Sequence, residues 1–149
     1  MCGGISQYDS NSQAVQKHLE ILQAVIQRMA SNSTSCKTWC ITLVSAIIVL
    51  VADKGKPDYA LIAAIPAILF LALDTYYLAL ERMFRASYNS FINKLHSCKV
   101  NVSDLYVVTQ KGNLFITFLG SLSSFSIWPF YVILMGMILI AKTFVMANT

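Results

Sequence analysis

The chain has 149 residues, of which 56% are hydrophobic and only 12% are charged, whereas about one quarter of an average soluble domain is charged. A soluble domain this short could not hide so much apolar surface, because it buries only about 70% of what its unfolded chain exposes. The net charge of +4 is modest, and the basic residues form no stripe with interleaved aromatic residues. This pattern excludes a typical nucleic-acid-binding protein.

The first predicted element is an amphipathic helix that begins near Asn11. Its apolar residues recur at alternating steps of four and three, which is a helical heptad seam: Val15, Leu19, Leu22, Ile26 and Met29. The opposite face is polar and includes Lys17, Glu20 and Arg28. Such a helix packs on a partner or on the bilayer surface. Residues 1–37 are therefore predicted to form a cytoplasmic N-terminal segment that ends in a polar run at 31–35, expected to be either a helix break or a hydrated joint.

Residues 38–82 are predicted to form a transmembrane hairpin. Charges are absent from residues 38–52 and sparse from 59–80, and both stretches are apolar enough to cross a bilayer. The polar segment 53–58 between them contains Gly and Pro, which end one helix and start another. Pro66 lies inside the second stretch and is expected to kink it.

Residues 83–112 are predicted to continue the second helix into the cytoplasm, to about Leu95, before a polar linker. Residues 113–149 hold a third apolar region, in which an interfacial or re-entrant helix at 113–125 precedes a span at 127–145. Two full spans need roughly 40 residues, so a fourth span here is the less favoured alternative. The predicted fold is an all-α integral membrane protein with three transmembrane helices, an N-terminal amphipathic helix and a cytoplasmic extension of the second span.

The basic residues predict the orientation of these helices. If the N-terminus is inside, the cytoplasmic segments hold eight of them: Lys17, Arg28, Lys37, Arg82, Arg85, Lys94, Lys99 and Lys111. The outer side then holds three: Lys54, Lys56 and Lys142. An excess of Lys and Arg marks the cytoplasmic side of a membrane protein. The N-terminus is therefore predicted to be cytoplasmic and the C-terminus to lie outside.

Asp74 is the most informative polar residue, because it lies inside the second apolar stretch. A charge within a membrane helix is costly and marks a functional site by default. The functional interpretation is that Asp74 lines or gates a polar conduit, with Tyr76 and Tyr77 as neighbouring intramembrane candidates. The structural interpretation is that Asp74 pairs with a base near the interface: Arg28, Lys37 or Arg82.

Charged residues outside the apolar stretches form a second group of candidates. The predicted cytoplasmic interface comprises Lys17, Glu20, Arg28, Glu81, Arg82 and Arg85. The Glu and Arg that end the second span are spaced i, i+4 in the order that favours pairing. This group either binds lipid head groups or, as the favoured interpretation, anchors the topology.

The sequence predicts no metal, no cofactor and no enzymatic activity. Cys36 and Cys40 are one helical turn apart, but a zinc site needs two further ligands, and the spacing His96-x-Cys98 is not one that zinc sites use. All four cysteines, including Cys2, are expected to be free thiols. The phosphate-binding, metalloprotease and nucleophile-elbow motifs do not occur.

Small residues are common in the predicted spans, and they allow helices to pack closely and to form oligomers. They include Ser45, Ala46, Ala60, Ala63, Ala64, Ala67, Gly120 and Gly136. A homo-oligomer within the lipid bilayer is therefore expected.

Two segments resemble a group of small bacterial membrane proteins. The first is residues 18–33, which contain His-Leu-Glu-Ile-Leu-Gln and Ile-Gln-Arg-Met-Ala-Ser-Asn-Ser, and the second is residues 72–85, which contain Asp74 and the Glu81–Arg82 pair. That group is similar to the SLATT-type membrane effectors of bacterial conflict systems, which join a few membrane helices to cytoplasmic helices. The third apolar region departs from a two-span plan.

The resemblance implies an oligomeric effector in the bacterial inner membrane that perturbs or permeabilises the bilayer in antiphage defence. A separate cytoplasmic protein would supply the trigger. The alternative is a non-conducting membrane anchor or scaffold for a soluble sensor or enzyme. A small ion or solute channel or transporter is least favoured, because transporters usually build their sites between repeated halves and no internal repeat is visible.

Overall fold

The computed structural model describes residues 12–55 and 57–147, with the backbone alone at 57, 58 and 146. All regular structure in these residues is helical: α1 (Gln13–Lys54), a 3₁₀ helix (Pro57–Ala63), α2 (Ala64–His96), a short 3₁₀ turn (Val102–Asp104), α3 (Leu114–Leu122) and α4 (Trp128–Ala147). Within the described residues, three helices are long and apolar enough to cross a membrane: Gln13–Lys54, Tyr59–His96 and Trp128–Val145. The all-helical fold is confirmed, and the three helices are compatible with a multi-pass membrane protein.

α1 is one continuous helix through the polar run 31–35, so no break occurs there. The hydroxyls of Thr34, Thr38 and Thr42 each donate to the carbonyl four residues earlier, at 3.2, 3.2 and 2.9 Å. The backbone carbonyls of α1 thus accept hydrogen bonds from these hydroxyls, so the polar residues do not interrupt the helix. A helix of 42 residues is about 63 Å long, roughly twice the hydrocarbon thickness. The predicted boundary between residues 37 and 38 therefore falls inside a single rod.

Pro66 lies at the start of α2, not in its interior. The helix begins at Ala64, directly after the 3₁₀ helix, so Pro66 lies in its first turn. An N–H in the first turn has no acceptor within the α-helix, and its loss there carries little cost. The predicted second span changes from a 3₁₀ helix to an α-helix at residues 63–64.

α1 and α2 form an antiparallel pair that is longer than the apolar segments. Gly55 ends α1 in the left-handed conformation, with φ of 60°, as is usual after a helix C-terminus. At the other end of the pair, Val15, Phe91, Val100 and Leu105 form a small core of their own. We call this the N-terminal end of the bundle. The predicted extension of the second span to about Leu95 is confirmed, since α2 ends at His96.

α3 runs antiparallel to α2. Lys111, just before α3, donates to the Ser90 hydroxyl. Beyond the middle of α3, Arg82 donates to the Gly120 carbonyl at 3.2 Å and to the Ser124 hydroxyl at 2.9 Å. As the chain advances from 111 to 124, its partners on α2 move back from 90 to 82.

α4 continues in the same direction as α3. It starts beside the middle of the bundle, where Ile127 and Tyr131 pack with Cys40 of α1, and it contacts the 3₁₀ helix at the far end. α3 and α4 therefore run in the same direction and are separated by an interruption at residues 123–127. The nine residues of α3 rise only about 14 Å, too short to form a fourth span.

The bundle core lies where α1, the 3₁₀ helix, α2 and α4 meet. Ala60, Ala63 and Ala67 are buried there, whereas Ser45 and Ala46 are exposed. These three alanines of the second span therefore pack against other helices of the same chain. Large apolar side chains remain exposed on each of the three long helices, as expected of a lipid-facing surface, and they include Trp39, Leu50, Ile65, Leu69, Trp128, Ile133 and Phe144.

Candidate functional site

Asp74 is completely buried between α1 and α2. One carboxylate oxygen, Oδ1, accepts a short hydrogen bond from the Ser33 hydroxyl. The other, Oδ2, lies 2.6 Å from the Lys37 ammonium nitrogen. Lys37 in turn donates to the Ser33 hydroxyl oxygen at 3.3 Å. The three side chains form a closed polar cluster inside an apolar bundle, which we call the Asp74 cluster.

The sequence places two members of the cluster on one face of α1. Ser33 and Lys37 are spaced i, i+4, which puts them one above the other on the helix surface. The same face continues through buried Cys36, Cys40 and Val44. α2 lies against that face, and Asp74 is the carboxylate that it presents.

The contact between Lys37 and Asp74 Oδ2 is an ion pair without hydrogen-bond geometry, since no aligned donor reaches Oδ2. Tyr131 of α4 is buried close enough for its hydroxyl to interact electrostatically with Asp74. That hydroxyl also makes no hydrogen bond of standard geometry with the described residues. Lys37 therefore neutralises the charge of Asp74, but only one of the two carboxylate oxygens accepts a hydrogen bond.

Two exposed tryptophans lie near the level of the cluster. Trp39 follows Lys37 by two residues, and Trp128 precedes Tyr131 by three; their side chains are 61% and 55% exposed. Tryptophan concentrates at membrane–water interfaces. This placement is what we expect of a cluster near the N-terminal edge of the apolar segments, not at their centre.

The energies of the Asp74–Lys37 pair suit a latch, by which we mean a contact that holds α1 against α2 until one partner is withdrawn. A buried ion pair contributes little net stability compared with an apolar pair of similar volume, but removing one partner costs roughly 3–5 kcal/mol. Lys37 retains 21% exposure of its side chain while Asp74 has none. The lysine is therefore the partner that could leave towards water.

Of the residues proposed to share the intramembrane site, Tyr76 and Tyr77 lie apart from the cluster's contacts. Their rings pack edge to face with centroids 5.7 Å apart, and Tyr76 is exposed on the bundle surface. The structural interpretation named Arg28, Lys37 or Arg82 as the partner of Asp74, and Lys37 is that partner. Ser33 and Tyr131 were not predicted, although the i, i+4 spacing of Ser33 and Lys37 was visible in the sequence.

The charged residues at the end of the second span are occupied within the chain. Glu81 and Arg85 form the expected i, i+4 pair at 2.6 Å. Arg82 does not pair with Asp74; instead it bonds to the end of α3 at Gly120 and Ser124.

On α1, Lys17 and Glu20 pair with each other at 2.9 Å and are about two-thirds exposed, and Arg28 is exposed. The predicted interface is therefore divided. One part ties α2 to α3, and the other lies open on α1.

His18 is a buried residue that the sequence analysis did not single out. Its Nδ1 accepts from the backbone N–H of Tyr106 at 3.0 Å, and its ring packs on Phe91 with centroids 4.3 Å apart. Tyr106 has φ of 63°, a left-handed conformation that costs energy in a non-glycine residue. Burial lowers the pKa of His18 below its usual value of 6.5, against an opposing pull from the Asp104 charge. The imidazole at the N-terminal end of α1, beyond the apolar belt, therefore holds the loop as a neutral acceptor.

The cysteines differ from the expectation at one position. Cys36 and Cys40 are free and buried, as predicted. Cys98 is disulfide-bonded, so the expectation of a free thiol is wrong for Cys98. The prediction for Cys2 lies outside the described residues. Within the described part of the chain, no three His, Cys, Asp or Glu side chains converge as metal ligands would.

Comparison of the chain with protein-family models, with curated proteins and with solved structures finds no match. The geometry of the Asp74 cluster and the surfaces around it therefore carry the functional argument.

Proposed function

We propose that this chain is an oligomeric membrane protein whose bundle is held closed by the Asp74 cluster, and that release of this latch perturbs or permeabilises the bilayer. The observation that carries the proposal is a fully buried carboxylate paired with a lysine of the neighbouring membrane helix. Apolar residues at these positions would stabilise the bundle as well or better. A costly pair at a helix–helix contact is suited to a switch between two packings of α1 against α2.

The interrupted third membrane element supports the same function. α4 begins after the break at 123–127 and brings Tyr131 beside Asp74, while Arg82 fixes the end of α3. Movement of α1 that withdraws Lys37 would leave the carboxylate beside Tyr131, in the first turn of α4 after the break. Discontinuous membrane helices are common where ions or solutes pass.

The setting is proposed from the resemblance to SLATT-type effectors. It is the bacterial inner membrane, with the N-terminus cytoplasmic, a role in antiphage defence and a cytoplasmic protein as trigger. The N-terminal end of the bundle supplies the receiving surface, because α1 extends about 37 Å before residue 38 at 1.5 Å per residue.

The test is dye release from liposomes that contain the purified protein. Wild type should be tight, whereas Lys37→Met should leak more than about tenfold faster, because it strands a fully buried carboxylate at a cost of several times the 1.4 kcal/mol that corresponds to a factor of ten. Asp74→Asn should also leak faster than wild type, but less than Lys37→Met, because Lys37 can reach water. The double variant Asp74→Asn/Lys37→Met removes both charges and should be tighter than either single variant. Asp53→Asn, an exposed carboxylate at the far end of α1, is the matched control and should behave as wild type.

Folded single variants that remain as tight as wild type would overturn the latch proposal. That outcome would favour the second candidate, a non-conducting anchor for a soluble sensor or enzyme. The observation that favours the anchor is the open charged face of α1, where Lys17, Glu20 and Arg28 are exposed. Charge reversal at these three positions would then abolish co-purification of a cytoplasmic partner while leaving the bundle folded.

A further inference from the structure

A polar cleft of about 110 Å³ lies at the N-terminal end of the bundle, where α1 and α2 meet the loop 97–113. It holds several waters' volume. Its wall comes from three parts of the chain: His18 of α1, Ser87, Ser90 and Lys94 of α2, and Ser103, Asp104, Thr109 and Lys111 of the loop. Side chains with four hydroxyl groups and two ammonium groups thus line one small space, together with the apolar Phe91 and Val107.

The charges in the cleft do not cancel. Lys94 lies 2.6 Å from Asp104, and the other oxygen of that carboxylate accepts from the Asn101 backbone N–H at 3.1 Å. Asp104 is therefore neutralised and bonded. Lys111 donates to the Ser90 hydroxyl, and no carboxylate of the described residues forms an ion pair with it. One positive charge remains over, next to hydroxyls that can donate.

From this arrangement we propose that the cleft binds a small free oxyanion of the phosphate class, held by Lys111 together with the hydroxyls of Ser87, Ser90 and Thr109. An oxyanion with several acceptor oxygens matches a group of convergent O–H donors and one ammonium, and charge-assisted hydrogen bonds of this kind are the strong ones. The Asp104 carboxylate does not repel the anion strongly, because Lys94 covers it. This inference does not depend on the proposed membrane perturbation.

The position of the cleft favours a soluble anion over a lipid head group. Lys94 is 14 residues beyond Leu80, where the second apolar stretch ends, a rise of about 21 Å along the helix. The occupant would bridge α2 and the loop that leads into α3. Binding would thus stabilise the loop by the usual mass-action linkage.

The test is calorimetric titration of inorganic phosphate into the full chain in phosphatidylcholine nanodiscs, at constant ionic strength. Saturable binding is expected, weakened about tenfold or more by Lys111→Met, since a hydrogen bond to a charged group contributes roughly 1.5–3 kcal/mol. Ser87→Ala, which leaves the Lys111–Ser90 contact in place, should weaken binding by a smaller factor. Lys99→Met removes an exposed lysine of the same loop that lies outside the cleft, and it should bind as wild type does.

Two results would overturn the proposal. One is that the variants do not distinguish the cleft: either phosphate does not bind, or Lys111→Met and Lys99→Met weaken binding equally. Equal weakening is the behaviour of a diffuse surface charge. The other is that phosphatidylglycerol in the nanodisc occupies the cleft and excludes free phosphate, which would assign it to a lipid head group.

Discussion

At the scale of single residues, the Asp74 carboxylate is defined by two side chains that lie one turn apart on the neighbouring helix. The sequence predicted both the importance of Asp74 and Lys37 as one of three possible partners. It did not identify Ser33 or Tyr131, because an ordinary serine or tyrosine in a helix carries no signal until the packing partner is known. His18 was hidden for the same reason: its acceptor role depends on Tyr106, 88 residues away.

A double-mutant cycle should show that Asp74 and Lys37 stabilise the fold as a pair. Lys37→Met strands a fully buried carboxylate and should cost roughly 3–5 kcal/mol. Asp74→Asn should cost less, because Lys37 is partly exposed and can reach water. The double variant should cost less than the sum of the two. The measurement is the free energy of unfolding in detergent micelles, and additive costs would show that the two charges act independently.

At the scale of elements, the loop 97–113 is fixed by three polar contacts to α1 and α2. Tyr106 donates to His18, Asp104 pairs with Lys94, and Lys111 donates to Ser90. Phe91, Val100 and Leu105 add an apolar contact. The polar linker of the sequence prediction is therefore a packed segment, since Val100 and Leu105 are buried in one small core.

The loop should loosen as the pH falls below about 6.5. The pKa of His18 is lowered in the folded state by burial, so the unfolded state binds more protons than the folded state once the pH drops below that value. The stability contributed by neutral His18 is fully present above 6.5 and is lost as the pH falls towards the folded-state pKa. The pKa of Asp104 is held below 3.8 by its hydrogen bond from Lys94, so that carboxylate stays charged across this window.

The measurement is hydrogen exchange at the Tyr106 amide between about pH 7.5 and 5.5, corrected for the intrinsic pH dependence of exchange. His18→Gln keeps an acceptor but does not titrate, and its protection should be nearly independent of pH. Equal loss of protection in wild type and in His18→Gln would show that another group controls the loop.

At the scale of the whole molecule, the described chain begins and ends at opposite ends of the bundle. α1 starts at the N-terminal end, α2 returns to it, and α3 and α4 together run away from it. The basic residues predict that the N-terminal end faces the cytoplasm. The excess of basic residues predicts which side of the membrane the N-terminal end faces. Three crossings predict that the two termini lie on opposite sides. One experiment can test both predictions.

Reporter fusions in a bacterial host should place the two termini on opposite sides of the membrane. A fluorescent protein that matures only in the cytoplasm should be bright at the N-terminus and dark at the C-terminus, and a periplasm-dependent phosphatase should show the reverse. Both reporters inverted would contradict the orientation alone. The same result at both termini would contradict three crossings.

The sequence by itself determined the all-helical class, the three apolar helices, the reach of α2 to about Leu95 and the position of Asp74 within an apolar stretch. These follow from composition, periodicity and the cost of a charge among apolar residues, all of which are local in the chain. Tertiary structure alone decided that α1 passes unbroken through 31–35, that Pro66 falls in a first helical turn, and that α3 continues into α4. It also decided which base neutralises Asp74 and that the loop closes a polar cleft. These features depend on contacts between residues 33 and 74, 18 and 106, or 82 and 120, and such separations leave no periodic trace in a single sequence.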